Sequence, residues 1–431
     1  MGKHEELLKR HKAVLPSWLA LYYGEPIAIV DGDGRHVWDA EGNRYLDFFG
    51  GILTTMSGYK VPQVVEAIKA QADKMLHTST LYLIESQIEL AEKIADISGI
   101  PDAKVFFTNS GTEANDTALM MATQHRKSNQ VLAMRNSYHG KSHSTVAITG
   151  NRSWSATSLT PFHTVYVHSG YKYRSPFGHL PDAEFIEACT ADLRDLLGTA
   201  TAGDVACLIA EPIQGVGGFA TPPDGFYGGL KQVLDEHGIL YISDEVQTGW
   251  GRTGEHFWGY QAHGITPDLL TFAKGLGNGL AMAGVVGRRE IIDCIAANSI
   301  STFGGNPLST AGALANLEYI LEEDLQTNAL KAGQQLKDGI HHLAEEVPNI
   351  GDVRGKGLMI GIEFVVPGTR DADGPTTAQV MEEAKAGGLL IGKGGLYGNV
   401  LRVAPPLSIT TEEVEDGLGI LSDAVRRATG A

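Results

Sequence analysis

Three features of the sequence predict an α/β fold built on a mainly parallel sheet covered on both faces. Apolar runs of strand length alternate with helix-period segments through the middle of the chain. The runs are continuously apolar rather than alternating, and polar clusters follow their ends. The candidate strands, in order, are 104-KVFFT-108, 130-QVLAM-134, 163-HTVYV-167, 205-VACLIA-210, 239-ILYIS-243 and 269-LLTFA-273. A strand buried on both faces needs no polar face, so unbroken apolar runs are what such a sheet requires. Between them, 112-TEANDTALMMATQHRK-127 and 225-GFYGGLKQVLDEHG-238 carry helical spacing.

Ahead of this core, 1-MGKHEELLKRHKAVLP-16 has the spacing of a short amphipathic helix ended by Pro16. The stretch 27–48 contains Asp-Gly turns that suit a hairpin or meander. From about Asn306 the texture changes. Helical segments at 309–321 and 326–346 lead to short strands, 357-GLMIGIEF-364 and 400-VLRVA-404, and to a last helix at 410–428. The expected division is a large domain over 61–308 and a smaller α+β domain over 309–431. Residues 1–60 are expected to join the small domain.

The 431 residues suffice for a large core plus a smaller one. A net charge of −17 argues against nucleic acid as a partner, because phosphate neutralisation needs a basic face. Cys189, Cys207 and Cys294 are dispersed and show no CxxC pairing, which suits a reducing compartment and excludes a zinc site of that type. The N-terminal stretch lacks the apolar segment of a secretory signal, and no run approaches the length of a membrane span. The expected location is the cytoplasm.

Ligands of open α/β sheets bind beyond the carboxyl ends of the strands. The residues there are 109-NSGTEAN-115, 135-RNSYHG-140, 211-EPIQG-215, 244-DEVQTG-249 and Lys274, which opens 274-KGLGNG-279. Any one cluster is ordinary: lysines end strands, and Ser110 or Thr112 could simply cap a helix. Five together imply a site. Ser110, Gly111 and Thr112 open a helix whose first N–H groups lack internal partners and whose dipole favours an anion. Asp244 follows an apolar strand, and a buried carboxylate needs a cation or strong donor. Lys274, if desolvated, would hold a depressed pKa and act as an amine nucleophile. Phosphate cradle, buried acid and amine are the three needs of pyridoxal phosphate.

Other motifs are weaker. The stretch 387-GGLLIGKG-394 mimics a P-loop but ends in Gly394 rather than a hydroxyl residue, so a strand with a glycine turn is the better reading. His139 and His143 have metal-pair spacing but a non-helical context, which argues against a metal. The glycines of 275-GLGNG-279 lack the strand–turn–helix setting of a dinucleotide site.

These residues resemble the class III (ω-amino acid) aminotransferases, a fold-type-I pyridoxal-phosphate family. The stretch 239–280 matches the family signature almost throughout, and NSGTEAN, SYHG, EPIQG, 302-TFGGNPLS-309 and 401-LRVAPPLSIT-410 match further blocks in order. The resemblance implies a seven-stranded, mainly parallel sheet and a smaller domain. It implies that Lys274 forms the Schiff base with the cofactor and moves the proton, while Asp244 holds the pyridinium nitrogen. Ser110, Gly111 and Thr112 would take the phosphate. Tyr138 and Val246 would cover the two ring faces, Gln247 would meet the ring hydroxyl, and Glu211 and His139 would support this shell. Ile52, Lys141 and Arg402 would touch substrate, with Arg402 as carboxylate anchor. Thr302 would reach the phosphate of a neighbouring subunit, implying a homodimer or a dimer of dimers.

Three positions depart from the family pattern. Val216 stands where many relatives carry a glutamate that parks the substrate arginine, Lys141 where arginine is common, and Tyr59 where histidine is usual. Val216 resembles the alanine–glyoxylate and β-amino-acid branch. The expected reaction moves an amino group from a β- or ω-amino acid, or an alanine-like donor, to pyruvate, glyoxylate or 2-oxoglutarate. A decarboxylase or phospho-lyase on the same scaffold is the main alternative. Ile52 and Tyr138 stand where the related dialkylglycine decarboxylases have glutamine and tryptophan, which favours transamination. A non-catalytic anion-binding protein would not need both Lys274 and Asp244.

Overall fold

The computed structural model describes residues 2–431. Strands β1 (Ile29–Asp33), β2 (His36–Asp39) and β3 (Arg44–Asp47) form the expected antiparallel meander. The central sheet contains β4 (Ala103–Thr108), β5 (Gln130–Met134), β6 (His163–Val167), β7 (Cys207–Ala210), β8 (Leu240–Asp244), β9 (Leu269–Phe272) and β10 (Ala283–Arg288). Their spatial order is β4-β10-β9-β8-β7-β5-β6. The pairs from β6 through β9 are parallel, and β10 alone runs antiparallel to both neighbours.

The two-sided burial behind the apolar runs is visible along β5. Val131 and Ala133 pack with Ala114, Ala118 and Leu119 of helix Gly111–Arg126. Leu132 and Met134 turn the other way, onto Phe185 of helix Asp182–Thr199 and Tyr227 of helix Phe226–Glu236. Each such side chain, fully buried, contributes about 1.5–3 kcal/mol.

The sequence pattern identifies six of the seven strands. The one it misses is β10, whose Gly284 and Gly287 look like turn residues. Their role is close approach: a Cβ on Gly284 would lie 2.5 Å from the Phe106 carbonyl oxygen, and one on Gly287 2.3 Å from Leu269 Cδ2. Several boundaries also shift by one or two residues. Strand β7 begins at Cys207 rather than Val205. Helix Phe226–Glu236 is shorter because Gly225 and Gly238 hold positive φ at 80° and 62°.

The C-terminal part contains β11 (Ile350–Lys356), β12 (Met359–Phe364), β13 (Leu389–Leu390), β14 (Gly392–Gly394) and β15 (Val400–Val403). Four of these form an antiparallel sheet in the order β11-β12-β15-β14. Strand β13 instead pairs with β3, so the chain after helix Gly374–Ala386 returns to the N-terminal meander. The stretch 387–394 is thus strand and turn, as its missing hydroxyl implied. The expected helices near 309–321, 326–346 and 410–428 are present as Pro307–Glu322, Leu325–Glu346 and Thr411–Thr429. The N-terminal helix spans Lys3–Val14 and none of its residues is buried. No described helix is long and apolar enough to cross a membrane.

Candidate active site

Strands β5, β7, β8 and β9 are consecutive in the sheet, so their carboxyl ends bring Tyr138, Glu211, Asp244 and Lys274 to one place. They line a cavity of about 370 Å³ together with Ser110, Gly111 and Thr112 at the start of helix Gly111–Arg126. His139, Val246, Gln247, Ile52, Val216 and Arg402 line it as well. Lys141 and Thr302 do not. Lys141 is exposed and meets the site only through its backbone N–H, which donates to Thr112 Oγ1 at 3.4 Å. Thr302 is exposed in the segment before helix Pro307–Glu322.

Asp244 is almost fully buried and accepts three hydrogen bonds. Asn115 Nδ2 donates at 2.8 Å and His139 Nδ1 lies at 2.7 Å, both on Oδ2; the Val246 N–H donates to Oδ1 at 3.1 Å. A carboxylate beside His139 Nδ1 assigns the proton to that nitrogen. Asn115 is itself oriented by Thr271, whose hydroxyl donates to Oδ1 at 2.7 Å. Glu211 is buried nearby and accepts the N–H groups of Tyr138 and Gly215 at 2.9 and 2.8 Å. Burial pushes its carboxyl well up; His139 opposes that and the Asp244 charge adds to it.

Lys274 opens a short 3₁₀ turn with a left-handed φ of 46°. Loss of water draws its ammonium down to about 8 from 10.5; Asp244 opposes this shift and Arg402 adds to it. At the far side of the cavity, Arg402 is 1% exposed on the interior strand β15, so it is no solvent-facing edge charge. Its Nε donates to the Lys393 carbonyl at 3.0 Å and one Nη to the Tyr22 hydroxyl at 3.0 Å. The guanidinium lies between the rings of Phe49 and Phe219, 4.8 and 5.6 Å from their centroids.

Ile52 reaches the cavity from an unusual turn. Gly50, Gly51, Ile52 and Leu53 all hold positive φ, from 52° to 65°, a left-handed turn that disfavours branched side chains. Asp47 holds it. Its Oδ1 accepts the N–H groups of Phe49 and Gly50 at 2.8 and 3.0 Å, and its Oδ2 accepts the Tyr59 hydroxyl at 2.6 Å. Tyr59, a departure from the family pattern, thus acts on this turn through a buried acid.

Four cavity residues were given no role by the sequence reading. Asn115 closes the NSGTEAN cluster and was detectable, because it follows Gly111 by four positions and shares its helix face. Thr54 lies two residues after Ile52 and enters with the same turn. Tyr22 and Trp154 carry no local signal; they arrive from segments far away in sequence. Trp154 meets Tyr138 edge-on at 5.3 Å, and together they form one wall.

The residues present fit pyridoxal phosphate. Ser110 caps helix Gly111–Arg126, its Oγ accepting the Glu113 N–H at 3.3 Å, which leaves the N–H groups of Gly111 and Thr112 for an anion, and a Cβ at Gly111 would press on Val246 at 3.0 Å. Gln247 Oε1 is a buried acceptor with no partner, suited to a hydroxyl donor. Asp244 supplies a charge for a ring nitrogen, and Lys274 supplies the amine. No cluster of potential metal ligands occurs among the described residues.

A sequence model of the family described as Aminotransferase class-III matches residues 22–425. The alanine–glyoxylate aminotransferase 2 homolog 2 of Arabidopsis thaliana, named as mitochondrial, is 40% identical over 425 residues, covering 95% of this chain and 84% of that protein. A leucine/methionine racemase of Thermococcus litoralis is 37% identical and covers 98% of this chain and 96% of its own. The structure of an (S)-enantioselective omega-transaminase from Thermomicrobium roseum superposes with a TM-score of 0.91 at 30% identity, covering 99% of each chain.

Two outcomes are expected. The Lys274 ammonium is penalised by folding, so its destabilising effect is full below pH about 8 and fades as pH rises toward 10.5. Reductive labelling of Lys274 by a small aldehyde in cofactor-free protein should have its midpoint near pH 8, and a midpoint at 10.5 would remove the low-pKa amine. Tyr59→Phe deletes one donor to buried Asp47 and should destabilise by about 1–3 kcal/mol in thermal or urea unfolding. Unchanged stability would mean that Asp47 holds the turn without it.

Proposed function

Because the chain belongs to the class-III aminotransferases, which use pyridoxal phosphate, we propose that it moves the amino group of a short β- or ω-amino acid, or of an alanine-like donor, to a 2-oxo acid such as pyruvate, glyoxylate or 2-oxoglutarate. The observation that carries this choice of substrate is Arg402. It is a buried guanidinium on the cavity, flanked there by Val216 rather than by an acid that could neutralise it. A guanidinium pairs with a carboxylate through two parallel hydrogen bonds.

When bound, pyridoxal phosphate supplies the electron sink for the pair left at the substrate Cα. The protein does the rest. Lys274 Nζ takes the Cα proton and returns it one position away, a role that needs an amine poised near neutral pH. Asp244, oriented by His139 and Asn115, would face the ring nitrogen and pair with its N–H. Ser110, Gly111 and Thr112 would hold the phosphate, Tyr138 and Val246 would cover the ring and exclude water, and Gln247 would accept from the ring hydroxyl. Glu211 steadies the backbone of Tyr138 and Gly215. Ile52 narrows the cavity, and Lys141 follows its wall at Gly140 with a side chain free to meet substrate.

The active form in this reading is a homodimer. Leu81, Tyr82 and Leu83 are 73%, 69% and 93% exposed, and Phe303 is 60% exposed. The ring of Phe303 lies 5.0 Å from that of His77, so the segment carrying Thr302 adjoins the one carrying His77. Exposed large apolar side chains in these two segments support a contact surface there. Three free thiols among the described residues fit a reducing compartment and support a cytoplasmic location.

Arg402→Ala should raise the KM for amino and oxo acids at least about 30-fold, the size of a lost charged hydrogen-bond pair, while sparing neutral amines. Unchanged oxo-acid kinetics would refute the anchor. A panel of donors against pyruvate, glyoxylate and 2-oxoglutarate, read by cofactor absorbance, names the substrates. Loss of optical activity in alanine with no oxo acid consumed would replace transamination by racemisation. Mixing inactive Lys274→Ala protomers with Thr302→Ala protomers should restore activity through hybrids with one intact site; a fully active monomer in sedimentation would end the dimer reading.

A further inference from the structure

The loop after β7 that carries Val216 is held with uncommon completeness. Four consecutive carbonyl groups, from Gly215 to Gly218, each accept from a different part of the chain. An Arg402 Nη donates to Gly215 at 3.4 Å, the Gly395 N–H to Val216 at 2.9 Å, and Asn136 Nδ2 to Gly217 at 3.0 Å. Arg354 closes the series with a fork, Nε at 3.1 Å and Nη2 at 2.8 Å from the Gly218 oxygen. The next residue, Phe219, is fully buried with a left-handed φ of 51°. A non-glycine residue keeps that conformation only where its surroundings over-determine it.

Arg354 lies outside the cavity. It is buried, its third nitrogen meets Asp352 at 2.5 Å and Glu363 at 2.8 Å, and its plane lies 4.6 Å from the Tyr171 ring centroid. Glu363 is 0% exposed and also receives Arg174 Nε at 2.5 Å, Asn399 Nδ2 at 3.3 Å and the Tyr171 hydroxyl. A guanidinium so fully partnered can anchor a backbone carbonyl without swinging away.

We propose that Arg354 is the positioning residue for the carboxylate anchor. Its fork on Gly218 fixes the loop whose Gly215 carbonyl orients Arg402 and whose Val216 walls the cavity. Of the three hydrogen bonds that orient Arg402, the one to Gly215 is the longest and the only one on this loop, which also carries the Phe219 ring against the guanidinium. Release of Gly218 therefore loosens the guanidinium where substrate must meet it, and leaves Lys274 and Asp244 alone. This inference rests on the reading of Arg402 as carboxylate anchor.

The test compares pyruvate with propanal, an acceptor of similar size lacking the carboxylate, in the holoenzyme. Arg354→Met should raise the KM for pyruvate about fivefold, the size of one hydrogen bond, with the KM for propanal, kcat and cofactor absorbance unchanged. Arg354→Lys keeps the charge against Glu363 but not the fork, and should give a smaller change of the same selectivity; it serves if the methionine variant does not fold. In an Arg402→Ala background, either substitution should add nothing to the pyruvate KM. Equal losses on both acceptors, additive effects in the double variant, or an unchanged pyruvate KM would overturn the proposal. If Arg402→Ala itself spares pyruvate, the anchor reading falls and this inference with it; if only the Arg354 variants spare it, this inference falls alone.

Discussion

A carboxylate taken out of water at the end of β8 sets the terms for everything around it. Asp244 has almost no exposure, so its charge must be met by donors from within the protein. Those donors come from three places in the chain: Asn115 in the helix after β4, His139 in the loop after β5, and the backbone of Val246. His139 can reach it only if β5, β7 and β8 lie side by side, and Asn115 only if the helix after β4 packs against the same sheet end. The sheet order and the chemistry of the site are therefore one constraint. Lys274 stands in the field of that carboxylate, yet burial wins and its amine is drawn down toward neutrality.

Around this centre the backbone is held in conformations it would not adopt alone. Ile52 and Leu53, Lys274 and Phe219 all have positive φ without being glycine. Ile52 and Lys274 line the cavity, and polar contacts stand near each strained stretch: Asp47 with Tyr59, Asn278 with the Ser57 N–H at 3.0 Å, and buried Arg354 with Glu363. Strain of this kind costs about 1–3 kcal/mol per residue and persists only where surrounding contacts enforce it. The polar networks away from the cavity are in this sense part of its wall.

Much of this was legible in residue order. Continuous apolar strands followed by polar clusters located Ser110, Tyr138, Glu211, Asp244 and Lys274 at one end of a sheet, because strand direction and side-chain type are local properties. Strand β10 was not legible, since Gly284 and Gly287 serve close packing against β4 and β9 while mimicking turn residues. Tyr22 and Trp154 were not legible either. Nothing in their neighbourhoods marks them; only the folded path of the N-terminal segment and of the β5–β6 connection brings them to the cavity.

The sequence by itself determined the α/β class, the family and most of the polar groups that line the cavity, because those depend on periodicity, on motif blocks and on residues at strand ends. Tertiary structure decided that Arg402, which the family resemblance named as a carboxylate anchor, is buried at the cavity. The same apolar stretch 400–404 suits an edge strand with a solvated arginine or an interior strand with a buried one. Pairing of β15 between β12 and β14, with Phe49 and Phe219 closing over the guanidinium, makes it the latter. Burial of a charge is a property of what surrounds it, and here those surroundings come from residues 22, 49, 215, 219 and 393. No local pattern could have brought them together.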